Sequence, residues 1–488
     1  MRRLLALLLI PALALIPSAC RKEPEGTVKV IAIGGEPKMR DPASGPLATP
    51  DAVLLMNVGQ GLVRFDASGN IVGGLAERWN LSDDGVSYIF RLASAEWPDG
   101  KKITAEQVAK ILQRNLAPRS RSPIKDTLGA IDDIVAMTDR VIEIRLTAPR
   151  PSLLALLAQP EMGVVRGRYG TGPFSAAPDA KEPGWLRLTR KIAASDDEET
   201  QKEEVLLTGT SAADAVKSFV SGRVDLVLGG TFADLPVAER VQLPRNSMHF
   251  DSASGLFGLM PLKPNGALDN AEVRRLLSQA IDRAGIISSL GVPGLAPRAT
   301  VLEAGLDGMA PPTPPAWLGT PIDQRRTAMT PEAARLFGKM PKPEIRILLP
   351  QGPGADLVLR QLATDWGALG FAVTRASGED DADFRLIDEV APSSSAAWFV
   401  RHFRCGAAPI CDPDADQLME AARQTLIPQQ RVALLQQAAA KIDDGELFIP
   451  IAAPIRWSLV SGRIQGFNGN RYAVHTLTDL EQRPANGD

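Results

Sequence analysis

The sequence predicts an α/β protein built from more than one packed unit, and three observations carry that expectation. Residues 344–349, 355–369 and 371–373 read strand, helix, strand, with Gly370 placed to end the helix in a left-handed conformation. Residues 86–92 (Val-Ser-Tyr-Ile-Phe-Arg-Leu) keep apolar side chains at every second position, and a capping box at Thr104-Ala-Glu-Gln107 follows shortly after. The chain has 488 residues, of which about 470 remain without an N-terminal leader, more than one hydrophobic core usually organises.

Taken in order, the chain opens with Arg2 and Arg3, an apolar run from Leu4 to Ile16, then Pro17-Ser18-Ala19-Cys20. An apolar run of about thirteen residues falls short of the roughly twenty that cross a bilayer as a helix, so residues 1–19 are expected to be a cleaved secretory signal. The segment resembles the bacterial lipoprotein signal, in which the cysteine thiol is diacylated and becomes the new N-terminus. Pro17 stands where such signals usually carry Leu. The resemblance implies lipidation of Cys20, membrane contact through that lipid, and a place in the periplasm of a Gram-negative bacterium. Residues 20–27, charged and Pro-containing, suit a lipidated tether.

Residues 28–33 read as a first buried strand. Asp83-Asp84-Gly85 supplies the turn before the alternating strand at 86–92, and Val108, Ile111, Leu112 and Leu116 give the helix after the capping box its apolar stripe. Asn270 is placed to cap a helix with Val273, Leu276, Leu277, Ala280 and Ile281 on one face. Residues 293–328, dense in Pro and Gly, are expected to wrap a surface or link units. Pro428 suits the start of a helix running through Leu434, Leu435 and Ala438 toward Gly445, before a strand at 447–452. Residues 481–488 are expected to fray.

A composition 44% hydrophobic and 23% charged supplies sizeable cores. The formal charge is −3, and loss of Arg2 and Arg3 takes it to −5, which leaves no basic field for nucleic acid. There is no Gly-x-Ser-x-Gly elbow, His-Glu-x-x-His or P-loop, and His249, His402 and His475 are the only histidines. These absences leave few players for histidine-based catalysis, and no enzyme, cofactor or metal is expected. Cys405 and Cys411 are close enough in sequence for a disulfide in an oxidising compartment. A metal site made with His402 would match no usual zinc spacing. Asp412-Pro-Asp414-Ala-Asp416 lacks the glycine and glutamate of a calcium loop and is read as a helix cap, with Arg401 as a candidate partner.

Five short motifs then stand in one order: Gly61-Leu-Val-Arg-Phe-Asp66, Gly74-Leu-Ala-Glu-Arg-Trp79, Ser82-Asp-Asp-Gly85, Trp97-Pro-Asp-Gly100 and Thr104-Ala-Glu-Gln-Val108. This chain of motifs resembles the family 5 extracellular solute-binding proteins, the dipeptide, oligopeptide and nickel receptors of ABC importers. Gly170-Thr-Gly-Pro-Phe174, Ser221-Gly-Arg-Val-Asp225, residues 273–283 and Gly466-Phe467 extend the likeness over most of the chain.

The resemblance implies a two-lobed periplasmic binding protein fold with mixed sheets. It places lobe I with an inserted subdomain at 28–254, a smaller lobe II at 255–454, and a return to lobe I with a tail at 455–488. It also implies a monomer that binds a small molecule or peptide between the lobes and passes it to an ABC permease in the inner membrane. The Cys405–Cys411 loop resembles that of the peptide receptors, in which an upstream aspartate accepts the ligand's α-amino group. Here the upstream stretch does not preserve that motif, and Asp388 and Glu389 are the nearest acidic candidates. Trp398, Arg401, Trp457 and Trp97 complete the expected cleft lining, with Gly170, Gly172 and Pro173 as a bend at the hinge or cleft. A nickel-chelate or other small-solute receptor, and a degenerate envelope docking or sensing protein, are the alternative functions.

Overall fold

The computed structural model describes residues 27–192, 201–264, 266–338, 344–478 and 480–482. The signal segment, Cys20 and the tether up to Gly26 lie outside the described residues. Three larger sheets carry the fold. Val28–Ile33 lies near the middle of a seven-stranded sheet, parallel to Gln201–Thr210 on one side and Leu226–Thr231 on the other. Its residues are apolar on both faces because both faces are covered. Val28, Val30 and Ala32 pack with Leu188 and Val205, while Ile31 enters a second core with Val227 and Trp457.

A four-stranded antiparallel sheet (Ala76–Leu81, Ser87–Leu92, Val141–Leu146, Ile131–Thr138) forms a smaller unit around Tyr88, Phe90, Ile142 and Ile144. Helix Ala105–Leu116 covers it through Val108 and Leu112. Thr104 starts this helix by accepting from the Gln107 amide at 3.3 Å. The Gln107 side chain does not reach back to close the box: its Oε1 accepts from Trp97 Nε1 at 2.9 Å. That hydrogen bond lets a polar ring edge enter the apolar core, and Trp97 is buried there instead of lining a cleft.

The third sheet has five strands in the order Val373–Arg375, Ile345–Leu348, Phe384–Val390, Gly255–Pro261, Ile449–Ala452. Gly255–Pro261, which holds Leu259-Met260-Pro261, is buried along its whole length. Helix Pro353–Gly367 sets Leu362 and Trp366 into the core, and Gly370 follows at φ 88°. The chain passes between the seven- and five-stranded sheets at 251–254 and again at 453–455. The two passages run side by side: the Asp251 amide donates to the Arg456 carbonyl at one end, and Phe257 pairs with Ala452 at the other.

Two local expectations are corrected. Residues 322–337 form a helix (Ile322–Phe337) that begins inside the supposed linker and contains Pro331, because Met329, Ala333 and Phe337 gain burial against the large core. Glu481–Gln482 does not fray but pairs with Ile464–Gln465.

In the last turn of the helix Pro428–Asp444, burial pushes the Asp443 carboxyl up to about 8, and just past the helix it pushes that of Glu446 to about 7. Asp443 still accepts from the Val301 amide at 2.8 Å. An unfolded aspartate titrates near 4, so between about pH 4 and 8 the folded chain holds the extra proton and stability falls as pH rises through that window. Urea midpoints are expected to drop from pH 5 to pH 8, and Asp443→Asn to remove most of the drop. A wild-type midpoint that rises over this range would contradict the assignment.

Candidate functional site

A cavity of about 1230 Å³ lies between the four-stranded unit and the helices of the five-stranded unit. One wall is the segment after helix Ala105–Leu116 together with the turn that leaves strand Val141–Leu146. The other is the short helix Ala396–Arg401, the loop after it, and helix Pro413–Gln424. Leu128, Leu153, Leu156, Trp398, Met419 and Leu435 supply the apolar lining. Trp398 is held by edge contacts with Phe399 at 5.0 Å and His402 at 4.6 Å.

Charge on the walls is uneven. Lys125, Arg150, Arg401, Arg404, Arg423 and Arg431 face Asp126, Asp416 and Glu420. Two of those acids are spoken for by neighbours on their own side. Asp416 accepts from the Cys405 amide with both oxygens at 3.0 Å, and Glu420 pairs with Arg423 at 2.7 Å. Asp126 lies 3.7 Å from Arg404, across the cavity mouth. Arg431 sits 3.5 Å from Asp307, which also accepts from the Ala396 amide. Among the described residues, Arg150 donates only to carbonyls, those of Pro149 and Arg423. Burial, with Arg431 and Arg423 nearby, pushes its guanidinium down to about 10. Burial also lowers Arg401, whose Nη1 finds no hydrogen-bond partner among the described residues.

The walls touch at defined points. Arg150 Nη2 donates to the Arg423 carbonyl at 2.9 Å, and Gln159 Nε2 to the Pro392 carbonyl at 2.7 Å. Cys405 and Cys411 are bonded, with Cα atoms 5.2 Å apart, and pin the loop beside the cavity. Asp412 caps helix Pro413–Gln424 by accepting from the Asp414 and Ala415 amides at 2.8 and 3.2 Å, while Asp414 pairs with Lys441. Arg401 is therefore not the partner of this aspartate run.

Trp398 and Arg401 stand on the wall as the sequence suggested, and the other expected lining residues are elsewhere. Asp388 is locked between the sheets by Arg456, whose Nη1 lies 2.8 and 3.0 Å from its two oxygens. Burial pushes its carboxyl up, against the pull of Arg456. Glu389 pairs with His402 at 3.2 Å, which lowers its pKa, and it lies outside the cavity lining. Trp457 is fully buried in the seven-stranded sheet, its Nε1 donating to the Thr231 carbonyl at 2.9 Å. Gly170 and Gly172 lie where the chain returns from the small sheet to the large one, and Pro173 continues that passage. A Cβ at either glycine would overlap the end of helix Thr49–Val58, so they are packing positions away from the cavity. The sequence reading missed Arg150, Arg404, Arg423 and Arg431. Arg404 and Arg423 fall within the segments 403–411 and 416–423 that resemble the peptide receptors but were given no role, Arg150 and Arg431 stand in no motif, and only folding places Arg150 beside Arg423.

Comparison with known proteins agrees with this architecture. The chain is 32% identical over 129 residues to the probable deoxycholate-binding periplasmic protein YgiS of Escherichia coli, covering 23% of this chain and 24% of that one. It is 25% identical to the probable di/tripeptide-binding protein 5 of Pseudomonas aeruginosa over 86% of this chain and 88% of the relative. The structure of the murein tripeptide binding protein MppA of Escherichia coli superimposes with a TM-score of 0.78 at 17% identity, covering 93% of this chain and 98% of that one. Residues 70–385 match the bacterial extracellular solute-binding proteins, family 5 Middle. With the two-lobed α/β fold and the cavity between its units in place, the chain belongs to the family 5 bacterial extracellular solute-binding proteins.

Proposed function

We propose that this protein captures a peptide-sized solute in the 1230 Å³ cavity and hands it, unchanged, to an ABC permease in the inner membrane. The observation that carries this reading is a cavity walled by two separately cored units, the four-stranded unit and the helices of the five-stranded unit, in a chain whose seven- and five-stranded sheets are joined through two adjacent chain passages. Such a joint lets the walls move as bodies, and a ligand touching both favours the closed population. Membership of a family of importer receptors supports the transport role. The di/tripeptide-binding relative favours peptides over a nickel chelate, and the cavity's surplus of guanidinium groups disfavours a bare cation. Acylation of Cys20 would hold the mature protein at the periplasmic membrane surface.

Native mass spectrometry of gently purified mature protein is the test. Part of the population is expected to carry a small-molecule mass that is displaced, intact, by added solute. The same preparation made with Cys20→Ser is expected to partition into the soluble fraction. A cavity that never carries or binds any solute would favour the docking or sensing alternative. Chemical conversion of the cargo would overturn the receptor reading.

A further inference from the structure

We propose that the cavity selects a net-anionic, partly apolar solute, gripping its carboxylate with Arg401 and Arg150, and offers no carboxylate anchor for a ligand amine. This deepens the receptor reading and rests on it. On the amine side, the acidic candidate that family likeness singles out, Asp388, is consumed by its bidentate contact with Arg456 and lies outside the cavity lining. Glu389 is turned to His402. Of the acids on the wall, Asp416 and Glu420 are engaged by the Cys405 amide and by Arg423, and Asp126 sits at the mouth, 62% exposed, near Arg404. An ammonium group entering this cavity would meet six cationic side chains.

On the anion side, the unmet donors come from both walls. Arg401 and Thr127 line the cavity from opposite walls, and the buried Arg401 Nη1 and Thr127 Oγ1 atoms have no hydrogen-bond partner among the described residues. A buried guanidinium N–H without an acceptor is costly, and a planar carboxylate that accepts its fork removes that cost. Arg150 sends two nitrogens to carbonyls, which orient the group without cancelling its charge, and no carboxylate pairs with it among the described residues. Trp398, Leu128, Leu153 and Met419 stand in the walls of the same cavity, the first three of them buried, so the remainder of the solute is apolar. A positive cavity in a chain of net charge −3 is a local device and not a reflection of bulk composition. The shared chemistry is a carboxylate on an apolar body, and it is carried equally by an N-blocked peptide and by a non-peptide organic acid.

Calorimetric titration of the full mature chain separates the cases with four probes: acetyl-trileucine, free trileucine, trileucine amide and decanoate. Acetyl-trileucine, net anionic, is expected to bind at least tenfold more tightly than free trileucine, whose ammonium makes it net neutral, and trileucine amide at least thirtyfold more weakly than acetyl-trileucine. Arg401→Gln is expected to weaken acetyl-trileucine tenfold or more while leaving the amide unchanged, with Arg401→Lys in between because an ammonium lacks the planar fork. Decanoate binding as tightly as acetyl-trileucine supports the inference with an organic acid as the source, and weak decanoate binding beside tight acetyl-trileucine supports it with a peptide. Should Arg401→Gln fail to fold, the ranking of probes on the unaltered protein decides. Tighter binding of the amide, or loss of binding on acetylation, overturns the inference and leaves the receptor reading standing. If none of the four probes binds but native mass spectrometry finds a cationic cargo, the inference alone falls; if it finds no cargo at all, both fall.

Discussion

Asp388→Ala is expected to destabilise the folded protein by about 3–5 kcal/mol, because it strands the Arg456 guanidinium between two sheets with no counter-charge. Arg456 Nη1 would keep the Ile455 carbonyl at 2.9 Å, which satisfies one donor and leaves the charge uncompensated. Its Nη2 also donates to the Asp388 carbonyl at 3.0 Å, a contact that survives truncation of the side chain. Both side chains are largely buried, 16% and 14% exposed, so solvent screens the pair little. Arg456→Leu together with Asp388→Ala is expected to recover part of the loss, since an apolar pair leaves no orphaned charge. Urea unfolding of the wild type, Asp388→Ala, Arg456→Leu and the double variant measures this directly. The pair joins the strand Phe384–Val390 to Arg456–Val460 beside the two chain passages, so the single variant is also expected to loosen the joint between units. If instead Asp388 were an amine anchor, Asp388→Ala would leave the unfolding midpoint in place and abolish ligand binding. That pattern would refute the structural assignment.

Trp457→Ala is expected to cost about 3–5 kcal/mol and to leave the affinity of the folded fraction unchanged. The indole is fully buried in the large core, its Nε1 hydrogen bonded to Thr231 and one face covered by Gly230. A Cβ at Gly230 would overlap the ring, so Gly230→Ala is expected to mimic part of the effect by overpacking the same site. The measurement is the urea midpoint beside a ligand titration at a denaturant concentration where both proteins are folded. An unchanged midpoint with reduced affinity would return Trp457 to the cavity wall.

These two residues show how much of the site was legible. Asp388 and Trp457 have the chemistry of a binding cleft, a carboxylate and a large aromatic with a donor, and sequence position alone does not distinguish that use from structural use. Burial does, and burial depends on what other segments bring. Arg456 is 68 residues from Asp388, and Gly230 is further still from Trp457. Trp398 and Arg401 were found because they sit beside a disulfide loop that a known family shares. Arg150, 273 residues from Arg423, carried no such marker.

The sequence by itself determined the local elements and the family. Strand Val28–Ile33, the Thr104, Asn270 and Asp412 caps, and the helix beginning at Pro428 follow from hydrophobic period and from side chains that bond to their own backbone within a turn. These are short-range interactions, readable a few residues at a time. Only the tertiary structure decided which charges are spent and which are free. Asp388 is paired with Arg456 while Arg401 Nη1 has no hydrogen-bond partner among the described residues, because pairing depends on distances between segments that are remote in the chain.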